Sequence, residues 1–451
     1  MRFGTIGLPR TVARGSPNPR RRTAETVCDN RTSPTKRAEV SDLIPFRGLR
    51  YPASDLSACT APPYDVIDDD ERRVLEERDP HNAVRLILPR DDDGCDRYEA
   101  AARLLRDWCA RGVLRRDSQP ALYGYRILFH DDTSPRVTTG VIGGLPVAAP
   151  GEAVLPHERT LARARNDRLA LLRATRANLD PIWVLSLASG LTELVDAGET
   201  PVATARDGDA LHELWPITDA ARIATIRGAI TGASMVLADG HHRYETAAAY
   251  ARDRDDPAAA LIMALVVELT GTQLCVRAIH RLLSGEPARS LRERLSSRFT
   301  LTELGPNVPE LAATVEARMD DAGALGIVDR DGIGLLHPRL EAIAPLLRDE
   351  PDAVHGVDAA CFDAAIRPLI GDAVIDYRND AATVAALVEK GAADAAVLLR
   401  PVSVDQIRSA ALAGVRMPEK STFFAPKPRT GMVFRTLDES GDDRSGGPAA
   451  N

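Results

Sequence analysis

The sequence predicts a mixed α/β fold, with α+β character, on three observations. A short apolar run, Met235-Val236-Leu237-Ala238, ends in Asp239-Gly240 and passes into Tyr244-Glu245-Thr246-Ala247-Ala248-Ala249, which is rich in helix formers. That pattern reads as a buried strand, a tight turn and a helix. Two apolar stretches at 122–130 and 137–147 flank a polar Asp-Asp-Thr-Ser-Pro-Arg segment, a hairpin signature. Farther on, 373–377, 383–389, 395–401 and 404–413 alternate as strand, helix, strand, helix. A chain of 451 residues has room for two or three domains with sizeable cores.

Taken in order, residues 1–40 are rich in Arg, Pro, Ser and Thr and lack an apolar stretch, so a disordered basic arm is expected. Arg20-Arg21-Arg22 precedes polar sequence, which argues against an export signal. Residues 41–195 form an N-terminal α/β region. Its ordered part begins near 44–51, carries apolar positions at helical spacing through 97–111, and contains the hairpin. An Arg-laced helix at 161–177 and an apolar strand at 182–187 follow. Residues 196–285 form the core around the Asp-Gly turn: a strand with Trp215, a helix over 219–230, the motif strand and helix, and strands at 260–269 and 273–279. Residues 286–436 form a C-terminal α/β subdomain, with helices at 291–298 and 309–321 and a hairpin at 326–337 before the alternating stretch. The Gly-, Asp- and Ser-rich tail 437–451 is expected to be disordered.

Composition narrows the function. The formal net charge is −8, and residues 1–37 carry an excess of basic side chains, so the remaining body is strongly acidic. General nucleic-acid affinity is not expected of such a body; any phosphate must be held by a local cationic site. The six cysteines, at 28, 59, 95, 109, 275 and 361, show no C-x-x-C spacing and read as reduced thiols of a cytoplasmic protein. No apolar run approaches the roughly 20 residues that span a bilayer, so no membrane partner is expected. Neither a P-loop nor a G-x-G-x-x-G fingerprint is present. The expected partner is a small phosphate-bearing molecule; the sequence leaves the oligomeric state open.

Asp239-Gly240-His241-His242-Arg243 puts four groups suited to phosphate chemistry at the start of a helix. There the backbone donors lack intrahelical acceptors and the dipole is positive. Gly240 permits the turn, Arg243 can grip a phosphate through paired charge-assisted bonds, and the combined terms reach about 5 kcal/mol. A lone histidine in such a place is usually a solvated turn residue, but two adjacent ones between Asp-Gly and Arg point in different directions and cannot both pack idly.

Four further places carry candidate groups. His157-Glu158 precedes Asn166-Asp167-Arg168, so Glu158 and Asp167 are candidate ligands of a divalent metal shared with Asp239, with His157 and Arg168 beside them. The plainer alternative is that both acids cap the Arg-laced helix and pair with Arg163 or Arg165. Asp65 follows Pro62-Pro63-Tyr64, where the prolines stiffen the backbone. Of 57 Lys plus Arg only four are lysines, Lys36, Lys390, Lys420 and Lys427. A chain that writes Arg almost everywhere keeps Lys where a compact ammonium is needed. Lys420, Lys427 and Arg429 make a basic segment in an acidic protein, and we expect it to fold back over the 239–243 turn and place Lys427 and Arg429 on phosphate.

The Asp-Gly-His-His-Arg-Tyr-Glu-Thr-Ala run at 239–247 resembles the hallmark of a bacterial and archaeal family, the domain of unknown function 1015. Supporting segments are Ala61-Pro62-Pro63-Tyr64-Asp65-Val66-Ile67, His157-Glu158-Arg159-Thr160, Asn166-Asp167-Arg168-Leu169, Asn178-Leu179-Asp180-Pro181-Ile182 and Phe424-Ala425-Pro426-Lys427-Pro428-Arg429-Thr430-Gly431. The turn is also similar to the nucleotide-phosphate motif of the ParB/sulfiredoxin superfamily, and most of all to that of free-serine kinases. This second resemblance implies a ParB/sulfiredoxin-like phosphate-binding core. In it Asp239 would be a metal ligand or acid/base, His241, His242 and Arg243 would hold phosphate, and the cofactors would be Mg²⁺ or another divalent cation and ATP, ADP or CTP. Three activities fit. The first is a phosphotransferase acting on a small hydroxyl substrate such as serine, with Asp239 or Glu158 as base and His241 and His242 in the catalytic set. The second is a phosphatase or nucleotide hydrolase, acting for example on phosphoserine. The third is a nucleotide-sensing module without turnover.

Overall fold

Apolar runs that are buried on both faces become the central strands of an eight-stranded sheet. The computed structural model describes residues 42–438 except 92–93, 132–133, 148–153, 157–164, 253, 255 and 286–289. The strands lie in the order Val154–Pro156, Met235–Asp239, Ile182–Ser186, Leu261–Glu268, Pro135–Pro146, Leu122–His130, Ala210–Ile217 and Ala203–Asp207. The sheet thus draws strands from both sides of residue 195. The motif strand Met235–Asp239 runs parallel to Val154–Pro156 and antiparallel to Ile182–Ser186. The hairpin forms as its pattern requires, with His130 opposite Pro135.

Side chains of successive residues leave opposite faces of a strand. Met235 and Leu237 therefore join Val184, Val266 and Tyr244 in one apolar cluster, while Val236 and Ala238 join Trp183, Leu265 and Val267 in another. With both faces covered, the strands show continuous apolar runs rather than alternation.

The C-terminal third builds a second sheet of six strands, in the order Phe299–Gly305, Gly332–Pro338, Leu325–Asp329, Ala395–Leu398, His280–Ser284 and Val374–Arg378. The two strands of the alternating stretch both pair antiparallel with His280–Ser284, one on each side. Two elements depart from the sequence reading. The expected strand at 273–279 shrinks to Cys275–Arg277, and the chain then crosses into the second sheet. The helix expected at 309–321 is two, Pro309–Ala312 and Val315–Ala322.

The two ends of the described chain come back to the region of the first sheet in different ways. Ile44 bridges Gly144, Phe46 bridges Ala121, and Leu49 bridges Phe434. Near the other end Phe423–Ala425 pairs with Cys275–Arg277, Thr430 bridges Ala61, and Arg435–Thr436 pairs with Ala177–Asn178. These partners lie outside the eight-stranded sheet, and the segment meets that sheet through side chains: the Phe424 ring lies 5.7 Å from that of Trp183, the Arg429 amide donates to the Tyr125 hydroxyl at 2.9 Å, and Lys427 reaches Asp239 at the motif turn. No helix among the described residues is long and apolar enough to cross a membrane. Cysteines 59, 95, 109, 275 and 361 are free thiols, and Cys28 lies outside the described residues, as do the expected basic arm and most of the expected tail.

Candidate functional site

The motif strand ends with a register shift between Leu237 and Asp239, an irregularity that re-aims the last side chain. Gly240 then takes φ +91°, a conformation that a residue with a Cβ adopts only under strain. Space enforces the same choice, because a Cβ at 240 would sit 2.8 Å from Ile182 and 3.1 Å from both Nε and Nη2 of Arg243. The helix His241–Arg252 starts at once, with the Tyr244 amide donating to the Gly240 carbonyl at 2.9 Å. His241, His242 and Arg243 thus form its first turn, at the positive end of the dipole.

Two cations from different parts of the chain converge on Asp239. Arg243 Nη2 donates to Asp239 Oδ2 at 2.6 Å, and Lys427 Nζ bonds Asp239 Oδ1 from 188 residues away. Lys427 also reaches Asp65 Oδ2 at 3.3 Å and stands 5.7 Å above the Phe423 ring. Arg243 Nη1 donates to the Pro181 carbonyl at 2.5 Å, tying the motif helix to the neighbouring strand. Its buried Nε–H has no acceptor among the described residues, and it packs close against the Gly240 backbone.

Electrostatics follow from this arrangement. Burial pushes the Asp239 carboxyl up, but Lys427, Arg243 and His241 more than offset it and bring the value down to about 2. Burial likewise lowers Lys427, yet Asp239 and Asp65 leave its ammonium above the usual lysine range. At neutral pH both partners are therefore charged. In this arrangement Asp239 holds the two cations in place.

A cleft of about 450 Å³, counted to its open mouth, adjoins the turn between the helices Arg165–Thr175 and His241–Arg252. Arg168, Asp180 and Arg243 line it together with apolar Leu171, Leu172 and Ile262. Arg168 is buried, donates to the Ile87 carbonyl at 2.7 Å and stacks 4.2 Å over the Tyr64 ring. The neighbouring Asp65 occupies the 3-10 turn Tyr64–Val66.

The structure thus gathers Asp65, Arg168, Asp239, Gly240, His241, His242, Arg243 and Lys427. It does not bring Arg429 to the turn. That guanidinium is buried, pairs with Asp207 at 2.7 Å and donates to the Thr60 carbonyl at 3.0 Å. Lys420 is exposed in a left-handed turn at φ +57°. Asp167 accepts from Arg168 at 2.5 Å and from the Tyr98 hydroxyl at 2.8 Å, with Arg97 at 3.4 Å. His157 and Glu158 lie outside the described residues.

Of the three expected metal ligands, Glu158 lies outside the described residues, and Asp239 and Asp167 are engaged by cations. Each Asp239 oxygen is already held by a cation, Asp167 is held by two arginines, and no group of three His, Cys, Asp or Glu side chains among the described residues is arranged to hold a metal. Two groups escaped the sequence reading. Asp180 lay in a segment recognised as a whole, and Thr430 donates to its carboxylate from 250 residues away, a separation at which sequence offers no signal.

The family described as Protein of unknown function (DUF1015) matches residues 43–354 of the chain. The protein belongs to this family. No curated protein matches it in sequence. Among solved structures, it is similar to a point mutant of a free serine kinase in complex with AMP, at 11% identity and a TM-score of 0.38, covering 66% of this chain and 93% of that one. It is similar also to a conserved hypothetical protein from Pyrococcus furiosus, at 11% identity and a TM-score of 0.36, covering 66% and 96%. A third is C-terminally truncated SbnI from Staphylococcus aureus, at 13% identity and a TM-score of 0.34, covering 67% and 90%.

Proposed function

We propose that the protein is a phosphotransferase that holds a nucleotide by its terminal phosphates at the 239–243 turn and passes a phosphoryl group to a small hydroxyl-bearing molecule, with serine a suitable acceptor. The observation that carries this reading is the convergence of Lys427 and Arg243 on Asp239 at the start of a helix, beside a buried Arg243 Nε–H that has no acceptor among the described residues. Asp239 keeps both cations charged and in place. An arriving phosphate supplies the missing acceptor and shares the cations, and His241 and His242 flank it from the first turn. Charge-assisted bonds of this kind contribute about 1.5–3 kcal/mol each. Phosphoryl transfer asks mainly for positioning and charge neutralisation, and this set provides both. ATP, ADP and CTP all present the required phosphates. A divalent cation would need carboxylates from beyond the described residues, such as Glu158.

The test is transfer of label from terminally labelled ATP, ADP or CTP, with Mg²⁺, in the presence of serine. Label in the acceptor supports the reading. Label released only as inorganic phosphate would assign a hydrolase. Binding without release would assign a nucleotide sensor, and absence of any nucleotide binding would return the turn to a structural role.

A further inference from the structure

A third carboxylate stands at the site without a cation of its own. Asp180 is 8% exposed and immediately precedes Pro181, whose carbonyl accepts from Arg243. Its Oδ1 accepts the Thr430 hydroxyl, while no described residue donates to its Oδ2. The carboxylate lines the cleft. Every nearby cation is matched elsewhere: Arg243 by Asp239 at 2.6 Å, Lys427 by Asp239 and Asp65, and Arg168 by Asp167 at 2.5 Å.

A buried carboxylate without a dedicated cation is costly, and a proton or a ligand's donor group relieves that cost. The groups facing it are Arg243 on the motif helix, Arg168 on the helix Arg165–Thr175, Tyr64 and Asp65 on the 3-10 turn and Thr430 on the C-terminal segment. Burial raises its pKa, with Asp65 adding and Arg243, Thr430 and Arg168 opposing. Asp180 and Asp239 are therefore displaced in opposite directions, and Asp180 is the better proton acceptor of the two.

We propose that this cleft is the acceptor subsite and that Asp180 is the catalytic base, accepting the hydroxyl proton of a small alcohol or amino alcohol at Oδ2. The inference rests on the phosphotransferase reading above. As the acceptor oxygen bonds to the terminal phosphorus, its proton passes to Asp180. The bond from that phosphorus to the bridging oxygen breaks, and the nucleotide one phosphate shorter leaves with the electron pair. The proton then passes to solvent. Leu171, Leu172 and Ile262 supply an apolar wall for a short carbon skeleton, with Asp180 and Arg168 at its polar end.

The experiment compares the full-length protein with Asp180→Asn, which keeps an oxygen for the Thr430 hydroxyl. ATP and ADP serve as donors, and serine, ethanolamine and glycerol as acceptors. Asp180→Asn is expected to keep the nucleotide-induced thermal shift and to lose acceptor phosphorylation by about 100-fold or more. A Thr430→Val variant retains the carboxylate but removes the donor that favours its charged form, so the acid limb of its transfer–pH profile should move to higher pH. Transfer undiminished in Asp180→Asn, or an acid limb unmoved in Thr430→Val, would overturn the assignment while leaving the phosphotransferase reading intact. Nucleotide binding by the wild type with transfer to none of the three acceptors would count against that reading itself, and this assignment would fall with it. Should Asp180→Asn fail to fold, the Thr430→Val profile decides.

Discussion

Two arginine–carboxylate sites, one beside each sheet, show what separates a structural ion pair from one poised for a ligand. Beside the six-stranded sheet, Asp358 opens the helix Asp358–Ala365 and is taken entirely by Arg400, whose backbone amide, Nε and Nη2 donate at 2.8, 3.0 and 2.6 Å. One residue thus satisfies both oxygens of the carboxylate. At the motif turn Asp239 divides its oxygens between Arg243 and Lys427, and Arg243 Nε remains without an acceptor among the described residues. In the first pair a single arginine matches a single carboxylate, whereas at the turn two cations share one, the arrangement that the proposed phosphate would exploit.

The largest expected effect tests the closed pair. Arg400→Ala leaves Asp358 buried and uncompensated, so urea denaturation should show a loss of about 3–5 kcal/mol, less whatever solvent screens at the partly exposed Arg400. Nucleotide binding by the folded fraction should be unchanged; loss of binding would break the contrast. Gly240→Ala forces a Cβ into the φ +91° turn and against Ile182. It should cost about 2–4 kcal/mol through backbone strain and overpacking, and also abolish nucleotide binding.

Acid sharpens the comparison. Asp239 has a folded pKa near 2 against an ordinary value of 3.8. A lowered carboxylate stabilises the fold above its unfolded pKa, and that stability is lost as pH falls through the folded one. About 2 kcal/mol should therefore disappear between roughly pH 5 and pH 2, and Asp239→Asn should remove this part of the acid limb in denaturation measured across that range. The smallest effect on stability belongs to Lys427→Arg, which keeps the charge but not the compact ammonium. Denaturation should change by less than about 1 kcal/mol, while nucleotide affinity falls roughly tenfold, or about 1.4 kcal/mol. Unchanged affinity would show that Lys427 does not touch phosphate.

The motif turn was legible because its causes are local: an apolar run, Asp-Gly, then helix formers. Lys427 was legible for another reason, since its rarity in an arginine-rich chain marked it before any contact was known. What it would touch was not legible, because Asp65 and Asp239 lie 362 and 188 residues away. Arg429 shows the limit of reading charge alone. It sits two residues from Lys427 in the same basic segment, but it turns inward to Asp207, and nothing in the sequence distinguishes the two directions. In the second sheet the alternation of strand and helix was legible, but not the shared partner of both strands, His280–Ser284, because it comes from chain some ninety residues or more earlier.

The central claim is that the turn opens to a nucleotide phosphate and the Asp358–Arg400 pair does not. The most direct measurement is the thermal shift of the full-length protein with ATP, ADP and CTP, alongside Arg243→Ala and Arg400→Ala. Ligand at about 100 times Kd adds about 2.7 kcal/mol to stability. The account predicts a shift with at least one nucleotide that persists in Arg400→Ala and vanishes in Arg243→Ala. No shift in the wild type, or an equal shift in Arg243→Ala, would contradict it.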